Sequence, residues 1–119
     1  MGLCTNGCAQ LYDAGARNIA ILNVPPIDRS PGSLKMDPAY RKIIAKAVGE
    51  INWRLLQMVK YFNKNHPDTK MFYFDTNYVF TIALDKPSSF AETQGLKEVK
   101  TFCTAYQGWV TMDLKLGNY

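Results

Sequence analysis

The pattern of apolar and polar positions divides the chain into three helices and two strands that alternate. A helical turn closes at Leu11 and Tyr12, and Gly15 follows as the left-handed residue that commonly ends a helix. Residues 19–24 are almost unbroken in their apolar character, and two prolines end this run because proline cannot donate to a strand ladder. A strand that is apolar on both faces is typical of a parallel sheet covered by helices.

A long amphipathic helix is predicted from residue 38 to about Asn63. Asp37 is placed to cap it, and Pro38 takes the first helical position, where a missing N–H costs nothing. Apolar residues recur at steps of three and four, which predicts one stripe packed on the sheet. The stripe consists of Ile44, Val48, Ile51, Leu55, Met58, Val59 and Phe62.

The second strand is predicted over 69–77, with Asp75 at its carboxyl end as the cap of a helix over 78–84. Strand, helix and strand in this order predict a right-handed βαβ crossover with parallel strands. Ligands gather at the carboxyl edge of such sheets, where the loop 25–36 begins. The segment 96–105 is predicted as a loop or a short helix, and the pattern assigns no element to 106–119.

Composition narrows the class of protein. The chain has 119 residues, enough for one domain, and 47% of them are hydrophobic. Its net charge is +4, from 14 basic against 10 acidic residues, and the lysines are spread along the chain without a basic run, so we expect no nucleic-acid patch. No apolar stretch reaches the length of a membrane span, and the N-terminus lacks the pattern of a signal peptide.

The first ten residues are small and polar and carry two cysteines, Cys4 and Cys8. They could form half of a metal site, but Cys103 and His66 stand alone and offer no second ligand pair at zinc spacing.

Lipidation at Gly2 and Cys4 is the other functional interpretation of this stretch, but Asn6 replaces the Ser or Thr of the myristoylation pattern. We therefore expect no metal site, no cofactor and no lipid anchor. Residues 1–10 are predicted as an irregular N-terminus before a helix that begins near Ala9.

Several segments together carry a resemblance to a known family. They are LYDAGARNIAILNVPPIDRSP at 11–31, HPDTKMFYFDTNYVF at 66–80, DKPSSF at 85–90, a Gly-Leu-Lys segment at 95–97 and TFCTAY at 101–106. In order and spacing they resemble the C-terminal half of fungal GDSL-type (SGNH) lipase/acylhydrolases, and most closely the secreted branch that includes carbohydrate acetylesterases.

The resemblance implies a flavodoxin-like α/β/α sandwich. Residues 11–119 would be the C-terminal portion of an SGNH hydrolase-like domain, a parallel βαβ unit with flanking helices whose central strands are missing. The implied chemistry is that of a serine esterase, in which a serine of a Gly-Asp-Ser motif attacks the ester carbonyl. A histidine takes the serine's proton, and an aspartate three residues before that histidine orients it. The resemblance also implies secretion.

This sequence departs from the family at every catalytic motif. It contains no Gly-Asp-Ser, no Gly-x-Asn-Asp block and no Asp-x-x-His. Its only histidine, His66, precedes the second strand, at the wrong end for the active site, and Asn63 stands three residues earlier. We therefore assign no catalytic, cofactor-binding or metal-binding residue from the sequence.

The remaining candidates are loop residues at the expected edge of the sheet. Ser30, Ser33, Ser88 and Ser89 lie in Pro- and Gly-containing loops, where serine is a common turn former, and none has the flanking glycines of a nucleophile elbow. Asp28 and Asp75 follow the two strands, where capping and turn formation compete with a substrate-contacting role.

Two functions are compatible with these observations. The first is a truncated serine ester hydrolase that is inactive alone and acts on esters only when the missing half completes it. The second is a non-catalytic α/β module that binds a protein partner through an exposed sheet edge. An unpaired strand edge also predicts self-association or marginal folding of the isolated chain.

Overall fold

The computed structural model describes the backbone of residues 2–101 and the side chains of residues 6–101. Three α-helices and two strands follow one another along this part of the chain. They are α1 (Gly2–Asp13), β1 (Asn18–Leu22), α2 (Pro38–Asn65), β2 (Lys70–Phe74) and α3 (Thr76–Asp85). Single 3₁₀ turns lie at Ile27–Arg29, Ser33–Lys35 and Pro87–Ser89. No helix in this part of the chain is long and apolar enough to cross a membrane.

The two strands form a parallel sheet joined through α2. Asn18 is opposite Lys70 and Leu22 is opposite Phe74, so the strands are in register over their full length. This arrangement confirms the predicted parallel βαβ unit with flanking helices. It is consistent with part of a flavodoxin-like sheet of the SGNH type.

Helix α1 ends as the sequence predicts and begins earlier than predicted. Gly15 has φ of +98°, and the N–H of Ala16 donates to the carbonyl of Leu11 at 2.9 Å, which is the Schellman form of helix end. The prediction of an irregular stretch over 1–10 is wrong, because the helix starts at Gly2. The stretch is helical because Cys8 packs in the apolar core, where it acts as a small hydrophobic side chain.

Helix α2 has the predicted cap. The Asp37 carboxylate accepts a hydrogen bond from the N–H of Ala39 at 2.7 Å. The predicted apolar stripe holds except near its middle, where Ile51 is 46% exposed and the neighbouring Asn52 is only 9% exposed. The side chain of Asn52 turns inward because it binds backbone groups of the half-buried Val24 after β1, as described below.

The apolar core lies on one face of the sheet. Ile19 of β1 and Met71 of β2 pack there against α1 and α2, together with Cys8, Met58, Val59 and Phe62. The opposite face carries Leu22, Phe72 and Phe74, each more than half exposed. The sheet is therefore covered on one face only by the described residues.

The remaining sequence predictions fall at the end of the described chain. Residues 96–101 form no helix, which agrees with the predicted loop. Cys103 and the tail 106–119 lie outside the described residues.

Candidate functional site

The carboxyl ends of β1 and β2 open into one cleft of about 460 Å³. Asp28, from the turn after β1, and Asp75, directly after β2, both line it, as expected for residues that follow neighbouring parallel strands. Asn52 and Trp53 of α2 complete one wall, and Asn77 of α3 lies on the opposite side. The cleft therefore combines two carboxylates with amide side chains and an aromatic ring.

Asn23 connects the two strand ends at the bottom of this cleft. Its side chain is 5% exposed and donates from Nδ2 to the hydroxyl of Tyr73 at 2.8 Å and to Oδ1 of Asp75 at 2.7 Å. Its Oδ1 accepts from the hydroxyl of Thr76 at 2.7 Å and from the N–H of Asn77 at 2.8 Å. The amide group thus has four partners, which fix its orientation and leave no donor or acceptor unused.

Two further amides hold the chain where β1 ends. Asn52 accepts from the N–H of Val24 at 2.8 Å and donates to its carbonyl at 2.9 Å. Asn77 donates to the same carbonyl at 3.0 Å. Because both backbone groups of Val24 are satisfied by side chains, the chain leaves the sheet at a fixed place before the turn that carries Asp28.

Asp75 is held on one side and open on the other. Its Oδ1 accepts from Asn23 and from the N–H of Tyr78 at 3.0 Å, which confirms the predicted cap of α3. Within residues 6–101, Oδ2 accepts no hydrogen bond from another residue, and the side chain is exposed to the cleft. The carboxylate is therefore oriented by the protein and free to accept a hydrogen bond from a bound molecule.

The rim of the cleft is tied to α3 by an ion pair. Arg29 Nη2 lies 2.6 Å from Asp85 Oδ1, with both side chains partly exposed. Surface pairs of this kind add little stability, but the contact joins the turn after β1 to the end of α3. Trp53, which is 61% exposed, leaves an uncovered aromatic surface beside the carboxylates.

The serines lie outside this cleft and have structural contacts. The Ser30 hydroxyl donates to the buried Ser33 hydroxyl at 3.0 Å and accepts from its N–H at 3.2 Å. Ser88 and Ser89 belong to the exposed 3₁₀ turn after α3. No described serine lines the cleft.

His66 lies at the amino end of β2, the opposite end from the cleft. Its N–H caps α2 by donating to the carbonyl of Phe62, and its ring stacks on the Phe62 ring with centroids 4.0 Å apart. The predicted turn position is therefore confirmed for this residue.

A polar cluster beside His66 ties the end of α1 to the turn before β2. The Tyr12 hydroxyl donates to the Asp68 carboxylate at 3.1–3.2 Å, and Arg17 Nε lies 2.8 Å from the same carboxylate. The hydrogen bond to Asp68 raises the pKa of Tyr12 above its ordinary value of 10.0, because it favours the neutral phenol. Among the side chains from residue 6 to 101, no group of three or more His, Cys, Asp or Glu residues is arranged to hold a metal ion.

Sequence reasoning found the two aspartates and missed the amides. Asn23 was counted within the apolar run of β1, and Asn52 lies one position from the predicted stripe of α2. The available signal was the position of Asn23 two residues before the first of the prolines that end the strand, where an uncharged polar residue marks the strand's carboxyl end.

Comparison with characterised proteins identifies relatives. No family model matches the chain. An acetylesterase of Thermothelomyces thermophilus is 38% identical over 81 residues, which are 67% of this chain and 27% of that protein. A GDSL esterase/lipase of Arabidopsis thaliana is 30% identical over 83 residues, which are 67% of this chain and 23% of that protein. The chain therefore spans about a quarter of the length of the curated relatives it matches.

Proposed function

We propose, from the premise that this chain is related to the GDSL/SGNH-type esterases over two thirds of its length, that it forms one part of a serine ester hydrolase. In this proposal the chain supplies one wall of the site at the carboxyl edge of the sheet. The nucleophilic serine, the general base and the groups that stabilise the oxyanion come from sequence outside these 119 residues.

The observation that carries the proposal is the convergence of polar groups at the carboxyl ends of β1 and β2. Asp28 and Asp75 meet in one cleft there, and Asn23 holds Asp75 in a fixed orientation. An oriented carboxylate beside an exposed aromatic ring suits hydrogen bonding to the hydroxyl groups of an ester's alcohol portion. The names of both relatives point to ester bonds as the chemistry of the completed site.

The same geometry predicts that this chain alone does not hydrolyse esters. Acyl transfer needs a nucleophile within hydrogen-bond reach of a base, and the cleft offers carboxylates without a serine or histidine. His66 lies at the other end of β2 and cannot serve Ser30 or Ser33 after β1.

The test is hydrolysis of p-nitrophenyl acetate by the purified chain, with a serine-reactive phosphonate as the control. We expect a rate equal to the buffer blank and no phosphonate labelling. Turnover that the phosphonate abolishes would contradict the proposed division of the site, because it would mean that a serine of this chain is activated.

A second candidate function is a non-catalytic module that binds a protein partner through its sheet edge. The observation that favours it is the outer edge of β1, which has no neighbouring strand among residues 2–101. A complex that forms through this edge and shows no esterase activity would favour this candidate over the first.

A further inference from the structure

The positive charge of the chain is concentrated on α2. This helix carries six basic side chains and one acidic side chain, a net charge of +5, whereas all 119 residues together have a net charge of +4. The rest of the chain therefore sums to −1. The one acidic residue of the helix, Glu50, forms an ion pair with Arg54, so five basic side chains have no acidic partner on α2.

Four lysines and a tryptophan form one narrow stripe on the exposed face of α2. At 3.6 residues per turn, their positions fall within about 40° of one another around the helix axis and about 140° from the buried Val48. All five side chains are exposed, and among residues 6–101 the four lysines form no ion pair. This lysine stripe consists of Lys42, Lys46, Trp53, Lys60 and Lys64.

The middle of the lysine stripe is also a wall of the cleft. Trp53 lines the cleft, and one pair of lysines precedes it along α2 while the other pair follows it. Asp28 and Asp75 line the same cleft. Along the helix, the surface is therefore positive at both ends of the stripe, with an aromatic ring and two carboxylates between them.

We propose that the lysine stripe binds an acidic polysaccharide, in which sugar residues that carry carboxylates are separated by neutral ones. The carboxylates of the polymer pair with the lysines at both ends of the stripe. A neutral sugar ring lies against Trp53, where Oδ2 of Asp75, which accepts no hydrogen bond within residues 6–101, accepts from a sugar hydroxyl. This inference goes beyond the proposed function and does not depend on ester hydrolysis.

The charge pattern and the shape of the stripe favour this partner over other anions. The stripe spans about 33 Å from Lys42 to Lys64, so a small anion reaches one end only. A nucleic acid carries a charge at every residue and would bring phosphates against Asp28 and Asp75 at the centre. A lipid surface is flat, whereas Trp53 lines a cleft.

Native affinity electrophoresis of the full chain, through gels that contain a polymer, tests the inference. The probes are carboxymethyl cellulose, which mixes carboxylated and neutral sugar residues, and its neutral counterpart hydroxyethyl cellulose. We expect carboxymethyl cellulose to retard the chain and hydroxyethyl cellulose to bind about tenfold more weakly or not at all. Retardation should fall about tenfold when the salt concentration rises from about 0.05 M to about 0.5 M, because exposed charges are screened.

Two lysine variants separate the stripe from the net charge of the chain. Both lose four positive charges, and glutamine has a helix propensity close to that of lysine, so α2 is retained. We expect retardation to be lost in the stripe variant and kept in the control, with circular dichroism as the check that both fold. The stripe variant carries Lys42→Gln, Lys46→Gln, Lys60→Gln and Lys64→Gln. The control carries Lys70→Gln, Lys86→Gln, Lys97→Gln and Lys100→Gln, at exposed positions outside α2.

Trp53→Ala tests the contact with the sugar ring. Trp53 is 61% exposed, so its removal leaves the core unchanged. We expect binding to carboxymethyl cellulose to weaken about fivefold with the same dependence on salt, because the lost contact is uncharged. Unchanged binding would contradict the placement of the polymer across the cleft.

The outcomes distinguish the partners and separate this inference from the proposed function. Equal loss of retardation in the stripe variant and the control would mean that net charge alone governs binding, and would overturn the inference. Tighter binding of single-stranded oligothymidylate or of phosphatidylglycerol vesicles through the stripe would identify a nucleic acid or a lipid surface instead, and would overturn it as well. Hydrolysis of p-nitrophenyl acetate, a small neutral ester, does not involve the stripe and tests the proposed function independently.

Discussion

The junction at Asn23 allows a direct test of how the candidate site is built. Asn23→Ala removes four side-chain hydrogen bonds, to Tyr73, Asp75, Thr76 and the backbone of Asn77. A hydrogen bond contributes about 1 kcal/mol net, and an abandoned buried partner costs about 1–3 kcal/mol. The Thr76 hydroxyl is buried but also donates to the backbone carbonyl of Asn23, which the variant keeps, and Asp75 is exposed and can bind water instead. We therefore expect the free energy of unfolding to fall by about 2 kcal/mol.

The assay is urea unfolding followed by circular dichroism, with the slope of the transition compared between variants. Asn65→Ala is the matched control, because Asn65 is exposed and makes one side-chain hydrogen bond, to the carbonyl of Tyr61. It should change the free energy of unfolding by less than about 0.5 kcal/mol. A loss below about 1 kcal/mol in Asn23→Ala would refute the reasoning that this amide holds the two strand ends together.

A second variant separates hydrogen bonding from charge. Asn23→Asp keeps an acceptor for Thr76 and Asn77 but places a carboxylate where Nδ2 lies 2.7 Å from the Asp75 oxygen. Two adjacent carboxylates raise the pKa of the pair, so the folded state binds a proton more tightly than the unfolded state. The variant's deficit in stability should therefore shrink as the pH falls through the raised pKa, and urea unfolding at several pH values measures this. A deficit independent of pH would show that charge repulsion is not its cause.

Three further changes test other contacts. Asp37→Ala removes the cap of α2 and should cost about 1 kcal/mol in thermal or urea unfolding, whereas Asp37→Asn, which retains a capping oxygen, should cost less. Asp68→Asn should bring the pKa of Tyr12 back toward 10.0. The pKa is measured by ultraviolet absorbance, as the part of the tyrosine titration that is missing in Tyr12→Phe. The stability that this contact adds is fully present below the ordinary tyrosine pKa and is lost as the pH rises through the raised pKa. Asn63→Ala removes the two hydrogen bonds between this side chain and the backbone of Met71, so it should cost about 1–2 kcal/mol and speed amide exchange at Met71, and unchanged exchange there would contradict the protection of this backbone by Asn63.

The elements set by local signals were predictable from the sequence. Gly15, Asp37 and Asp75 each mark a helix boundary through a conformation or a hydrogen bond that involves only neighbours within a few residues. The same holds for the two strands, whose apolar runs are bounded by prolines in one case and by Asp75 in the other. The parallel crossover then followed from their order along the chain.

The features that depend on distant partners were not predictable in this way. Asn23 looks like one polar residue at the end of an apolar run because its partners lie 50–54 positions further along the chain. Asn52 turns inward to bind Val24, 28 positions away, which rotates the buried face of α2 away from Ile51. Cys8 belongs to a helix because the core accepts its side chain, and a small polar segment gives no local sign of that.

Complementation of esterase activity tests the central claim most directly. The purified chain and the Thermothelomyces thermophilus acetylesterase without its 81 matched residues are assayed with p-nitrophenyl acetate, separately and mixed. The account predicts turnover in the mixture well above the sum of the two components, with phosphonate labelling confined to a serine of the added polypeptide. No gain in turnover, in a mixture whose two polypeptides form a complex by analytical ultracentrifugation, would contradict the claim that this chain forms one wall of an ester hydrolase site.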